Sequence, residues 1–239
     1  MAPPAINPAV DGRATVENTP GGGLRTRIVS ALVLAPVVLG VVYLGGALFN
    51  GMMLIVAVLM AYEWNRLCGS ARRRPLWLAA GAVYIVAPCI AVVWLRAEPE
   101  TGLATILWLL AVIWATDTGA YFAGRGIGGP KLAPRISPKK TWAGLGGGVV
   151  AAGGVGAATA VILALPNAPA LIVFSMVLAV VAQGGDLLES AVKRIFKVKD
   201  SGNLIPGHGG LLDRLDGLMT AAPTVAAVAL MGGEGGVLA

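Results

Sequence analysis

"IVSALVLAPVVLGVVYLGGALF", residues 28–49, contains no charged side chain. A helix rises about 1.5 Å per residue, so a run of this length crosses the roughly 30 Å hydrocarbon core of a bilayer. One such run could be an anchor, but comparable runs recur to the end of the chain. Apolar windows predict helices at 27–49, 51–67, 76–96, 102–124, 143–165, 169–196 and 211–232. The expected fold is therefore all-α, a polytopic transmembrane helix bundle of about seven spans. With 239 residues, 56% hydrophobic and only 13% charged, the chain falls outside the water-soluble globular class.

Residues 1–24 are rich in Pro, Gly and polar types and are expected to form a disordered cytoplasmic tail rather than a signal peptide. Residues 25–101 then form an N-terminal transmembrane region and 102–239 a C-terminal transmembrane catalytic region. Cys68 and Cys89 lie in or beside apolar segments with no neighbouring ligand set, which suits reduced core residues. The glycines of 143–165 favour close helix packing over a stiff isolated rod.

Lys and Arg gather on alternate connections. Arg25 and Arg27 precede the first span, and Arg66, Arg72, Arg73 and Arg74 follow the second. Arg125, Lys131, Arg135, Lys139 and Lys140 follow the fourth, and Lys193, Arg194, Lys197, Lys199 and Arg214 follow the sixth. Only Arg96 falls on the other side. The positive-inside rule then puts the N-terminus and these connections in the cytoplasm, with the net charge of +6 concentrated on one face of the inner, plasma membrane. Every inner-membrane protein obeys that rule, so basic connections alone prove nothing. Acids among them are not required by it, and Asp117, Asp186, Glu189, Asp200, Asp213 and Asp216 all fall at the same level.

Asp117 sits in "LWLLAVIWATDTGAYFAG", residues 107–124, where a carboxylate costs about 2.5 to 3.5 kcal/mol if central and less near the interface. It could be a helix-packing acid bonded to Thr116, Thr118 or Tyr121, or a functional one; the two readings weigh equally. Asp186 recurs in a similar setting, and helical spacing places Asp186, Glu189, Ser190, Lys193 and Arg194 within one broad face. Glu189 with Lys193 reads as an i to i+4 salt bridge, whereas Asp186, flanked by Gly184 and Gly185, reads as functional.

Further on, "KDSGNLIPGHGGLLDRLDG", residues 199–217, turns tightly through its glycines and Pro206 before a helix opens near Leu211, a backbone suited to cradling an anion. Asp213 and Asp216, three apart, share a face of that helix and could hold a hard divalent cation, or could simply complement the helix dipole. His208, the lone histidine, reads first as a hydrogen-bonding loop residue. Gly124, Gly126 and Gly129 match G-x-G-x-x-G only by spacing, since a membrane helix and not a strand precedes them, and Pro130 rules out a Walker A loop. In "SPKKTWAGLGGG", residues 137–148, Pro138 stiffens a loop that presents Lys139 and Lys140 at headgroup depth. Cations to grip phosphate oxygens beside acids to hold Mg²⁺ fit polyphosphate chemistry on a lipid.

At this point the residues resemble a known family. Ser190, Lys193, Arg194, Lys199, Asp200, Pro206, His208, Gly209, Gly210, Asp213, Arg214 and Asp216 look like the full signature of the phosphatidate cytidylyltransferases, or CDP-diacylglycerol synthases. "QGGDLLES" at 183–190 and "DTGAYFAGRGIGGPKLAPRISPKKTWAG" at 117–144 resemble two further blocks of that family. The resemblance implies transfer from CTP to phosphatidic acid, giving CDP-diacylglycerol and pyrophosphate, on the cytoplasmic face of the bilayer. It implies Mg²⁺ as cofactor with Asp186 and Asp213 as its ligands, and catalytic work for these two with Lys139, Lys140 and Lys193. Substrate-binding roles follow for Ser137, Asp117, Arg194, His208, Arg214 and Asp216. Nucleic acid is not an expected partner, and the reading is compatible with a homodimer. One departure is visible: Ala143 stands where the family usually has an acid. Two other classes stay open beside this one, a cation transporter or channel using Asp117 and Asp186, and a transferase acting on another lipid phosphate.

Overall fold

The computed structural model describes residues 24–69, 71–202, 204, 209–232 and 236–238. Seven α-helices make up almost all of it: α1 (Leu24–Leu44), α2 (Gly46–Cys68), α3 (Arg74–Ala97), α4 (Gly102–Gly126), α5 (Trp142–Ile162), α6 (Ala168–Ile195) and α7 (Leu212–Gly232). Six of them, α2 to α7, are long and apolar enough to cross a membrane, and Leu32–Leu44 of α1 adds a shorter apolar stretch. Large side chains such as Leu54, Val83, Val150 and Leu230 are exposed on outer helix faces, as expected where lipid rather than water is the solvent. Leu109, Val112, Leu178, Ala221, Ala222 and Val225 are fully enclosed and form the seam between α4, α6 and α7.

The run at 28–49 does not stay one helix. It ends at Leu44, and residues 46–49 already belong to α2. Gly45 and Gly46 take φ of 66° and 56°, left-handed values that only glycine adopts without strain, so the chain reverses with no loop. Arg96 completes this turn from the end of α3: its Nε donates to the Val42 carbonyl at 2.7 Å and its Nη2 to the Tyr43 carbonyl at 3.0 Å. Those carbonyls are among the last of α1 and have no partner within the helix. The one cation on the poorly charged side thus has a structural task.

Helix α5 lies against α4 along a row of glycines. A methyl group added at Gly119 would stand 2.6 Å from the Gly147 carbonyl oxygen, and one at Gly148 would stand 2.9 Å from that of Thr116. On the α6 side, one at Gly156 would stand 2.9 Å from the Leu171 oxygen. Backbone meets backbone, which is how membrane helices gain dispersion energy when burial from water contributes nothing. Gly147→Leu is therefore expected to cost at least about 3 kcal/mol and to reduce recovery of monodisperse protein from detergent. Gly146→Ala, where a methyl group meets nothing within 4 Å, is expected to be neutral within about 0.5 kcal/mol in the same assay.

Between α4 and α5 the sequence predicts a loop. The structure instead has a two-stranded antiparallel hairpin, β1 (Lys131–Ala133) and β2 (Ser137–Thr141), with Lys131 opposite Thr141 and Ala133 opposite Ser137. Thr141 then caps α5, its Oγ1 accepting from the Gly144 N–H at 3.0 Å. Cys68 and Cys89 are free and buried, as expected. Of the predicted tail, residues 1–23 lie outside the described residues.

Candidate functional site at the polar end of the bundle

Strand β2 fixes what its lysines can reach. Successive side chains on a strand point to opposite sides, so Lys139 and Lys140 cannot both face inward. Lys139 is exposed, whereas Lys140 is half-buried and reaches across to α6. Lys140 Nζ lies 2.5 Å from Asp186 Oδ2 and donates to Gln183 Oε1 at 2.9 Å. Gln183 is itself buried, and its Nε2 donates to Asp117 Oδ1 on α4 at 3.5 Å. Asp117 thus bonds across the helix boundary rather than to Thr116, Thr118 or Tyr121; Thr116 Oγ1 donates instead to the Val112 carbonyl.

These groups line a cleft of about 450 Å³ whose walls include Asp117, Tyr121, Arg125, Lys139, Lys140 and Asp186. Asp216, on the second turn of α7, is an electrostatic neighbour of both Asp186 and Asp117. Helices α6 and α7 approach closely enough for this because Gly185 has no side chain: a methyl group there would stand 2.7 Å from the Asp216 carbonyl oxygen.

One helical turn beyond Asp186 a second cluster begins. Lys193 Nζ lies 2.5 Å from Asp213 Oδ1 and 3.2 Å from Glu189 Oε2, the latter being the expected i to i+4 pair. Asp213 Oδ2 also accepts the Ser201 N–H at 3.0 Å. The structure therefore brings Asp117, Asp186, Asp216 and Lys140 together, and it places Asp213 with Lys193 and Ser201 alongside. Asp213 and Asp216 share the start of α7 but turn to different partners.

Other expected residues stand further out. Ser137 sits at the beginning of β2 opposite Ala133. The Arg194 guanidinium donates to the carbonyls of Ile136 and Val198, both at 3.3 Å, and so ties the hairpin turn to the end of α6. Arg214 is an electrostatic neighbour of Asp117 and lies at the edge of a second, apolar cavity of about 390 Å³. Leu34, Val38, Phe49, Met53, Leu109 and Met219 line that cavity, from α1, α2, α4 and α7. His208 lies outside the described residues, as do its neighbours 205–207.

Gln183 was not singled out from the sequence, although it lies three residues before Asp186 on the same helix face, a spacing that could have flagged it. Ala143 is half-buried in the first turn of α5, between Thr141 and Gly144, which line the cleft. An acid there would meet the positive end of the helix dipole. Ala143→Glu is accordingly expected to leave stability unchanged or slightly raised and turnover within about threefold of the parent. A rise of orders of magnitude would place position 143 within the working pocket.

The donor set suits Mg²⁺, a hard ion that takes one or two carboxylates, several waters and substrate phosphates. Among the described residues no three His, Cys, Asp or Glu side chains form a ready ligand set. Asp186 and Asp213, on adjacent helices, are the carboxylates that could be offered to such an ion, each being paired with a lysine in this structure. Glu189 Oε1 adds a buried oxygen with no hydrogen-bond partner among the described residues.

Residues 72–231 match the model of the cytidylyltransferase family. The chain is similar to a phosphatidate cytidylyltransferase of Brucella suis, 38% identical over 246 residues that cover 83% of this chain and 90% of the relative. It is also similar to phosphatidate cytidylyltransferases of Rickettsia bellii, at 37% identity with 84% and 88% covered, and of Rickettsia felis, at 36% with 86% and 92% covered.

Proposed function

The chain belongs to the cytidylyltransferase family, and from that membership we propose that this multi-pass membrane protein transfers a cytidylyl group from CTP to phosphatidic acid, giving CDP-diacylglycerol and pyrophosphate. The observation that carries the reading is Lys140, enclosed between Asp186 and Gln183 in a cleft that Asp117 also lines, with Asp216 an electrostatic neighbour of both acids. An ammonium group held there by one carboxylate and one amide oxygen is poised to exchange a partner for a phosphate oxygen. The apolar cavity beside Arg214 supports a lipid as the second substrate, since it offers acyl chains an apolar wall next to a cation.

In this reaction an oxygen of the lipid phosphate attacks the α-phosphorus of CTP, and the bond from that phosphorus to the oxygen of the leaving pyrophosphate breaks. Catalysis rests on alignment and charge neutralisation rather than on a protein nucleophile. Lys140 and Lys193 supply positive charge from inside the site, and Lys139 supplies it from the rim. Asp117 and Gln183 hold Lys140 at the depth of the cleft. Mg²⁺ would be held by Asp186 and Asp213, and when bound it supplies positive charge to the transferring phosphate oxygens. The same reading sets the polar end on the cytoplasmic face of the inner membrane, where CTP is available, and allows two copies to pair.

Purified protein supplied with labelled CTP, Mg²⁺ and phosphatidic acid is expected to form a labelled liponucleotide and an equal amount of pyrophosphate. Product from a different lipid phosphate alone would reassign the substrate. Ion conduction in vesicles with no liponucleotide from any phosphatidic acid would replace the enzyme by a transporter.

A further inference from the structure

The N-terminal region contributes a buried carboxylate to the start of α7. Glu63 lies near the end of α2, upstream of the residues that the family model matches, and only 1% of it is exposed. Its two oxygens serve different donors. Oε1 accepts the Leu211 N–H at 3.0 Å, while Oε2 accepts the Leu212 N–H at 2.9 Å and the Ser201 hydroxyl at 3.4 Å. The Leu212 amide opens α7 and that of Leu211 immediately precedes it, and neither has an acceptor within that helix. Ser201 in turn donates its backbone N–H to Asp213 Oδ2 at 3.0 Å, so Glu63 reaches Asp213 through a single residue.

The surroundings leave this arrangement little freedom. A methyl group at Gly202 would stand 2.5 Å from Glu63 Oε1, and one at Gly210 would stand 2.9 Å from Asp213 Oδ2. A buried carboxylate is costly, and a leucine would fill the same space without that cost. What leucine lacks is the pair of acceptors that hold two helix-start amides and a hydroxyl at once.

We infer that Glu63 is a positioning residue for the transfer reaction, fixing the opening turn of α7 and, through Ser201, the direction of the Asp213 carboxylate. The inference rests on the proposed cytidylyl transfer and on the place of Asp213 in it. Glu63→Gln is the informative variant. It keeps the shape, but whichever way the amide turns, its NH₂ faces a backbone N–H that needs an acceptor.

The test measures turnover and hydrogen exchange on the same detergent-purified full chain. Glu63→Gln is expected to lower kcat per folded molecule by about 10- to 100-fold, with KM for CTP within about threefold. The amides of Leu211 and Leu212 should exchange at least about tenfold faster, while those of residues 218–226 in the middle of α7 keep their protection. Ser201→Ala keeps the N–H to Asp213 and is expected to have the smaller effect on kcat, with Leu211 and Leu212 still protected. Unchanged exchange in Glu63→Gln overturns the clamp whatever the reaction is. Faster exchange with parental kcat, or a loss of activity that only tracks the folded fraction, overturns the positioning role. A parent chain that forms no liponucleotide overturns the transfer reading itself, and the exchange data then still report on the clamp.

Discussion

Asp186→Asn is expected to lower liponucleotide formation by at least about 1,000-fold per folded molecule. The side chain keeps its shape, but Lys140 loses the carboxylate 2.5 Å from its Nζ, and the site loses the negative charge proposed to hold Mg²⁺. Asp213→Asn is expected to cost a similar factor, because it removes the corresponding partner of Lys193 on the adjacent helix. The double variant should be little worse than either single one, as for residues that act as a unit. If the two acids served only to pair with lysines, the variants would fold poorly, yet whatever folded would turn over normally. Mg²⁺-dependent activity per folded molecule separates the cases: a full rate in either variant, with an unchanged Mg²⁺ requirement, removes that residue from the site.

Lys140→Ala is expected to lower kcat by about 100- to 1,000-fold, and Lys139→Ala by no more than about tenfold. The difference comes from the alternation of β2. Lys140 turns inward, with 17% of its side chain exposed, towards Asp186 and Gln183; its neighbour lines the rim and is exposed. A lysine serving only as a topology signal would show no such asymmetry, since the positive-inside rule counts charges and not directions. Steady-state kinetics of the two single variants, with orientation checked by tag accessibility, decide the matter. Equal losses would mean that the hairpin presents both ammonium groups alike, contrary to its pleat.

The helices were legible because the bilayer imposes both their length and their composition. The windows 102–124 and 211–232 fall within two residues of α4 and α7. Hydropathy failed at two places. It ran 27–49 together across Gly45, because a reversal made by two glycines interrupts no apolar run. It also missed the hairpin at 131–141, whose stretch of prolines and lysines carries no alternation of apolar residues. Within the site, the pairings along α6 followed from i to i+4 spacing, as Glu189 with Lys193 shows. Partners on different helices did not. Lys140 finds Gln183 across 43 residues, and Glu63 finds Leu212 across 149, separations over which local periodicity carries no signal. Acids and bases could be assigned to one level from their places in the chain, but not to one another.

The contact of Arg96 with the turn at Gly45 imposes an order on biosynthesis. A chain emerging from the ribosome delivers α1 and α2 well before residue 96, and until then the carbonyls of Val42 and Tyr43 have no guanidinium to accept from. The first hairpin is therefore finished only when the third helix has threaded into the bilayer and brought its last turn to the far boundary. At that boundary the finished turn is the joint work of three helices rather than two, and the polar end of α2 meets its own partners, Leu211 and Leu212, only in residues synthesised later still.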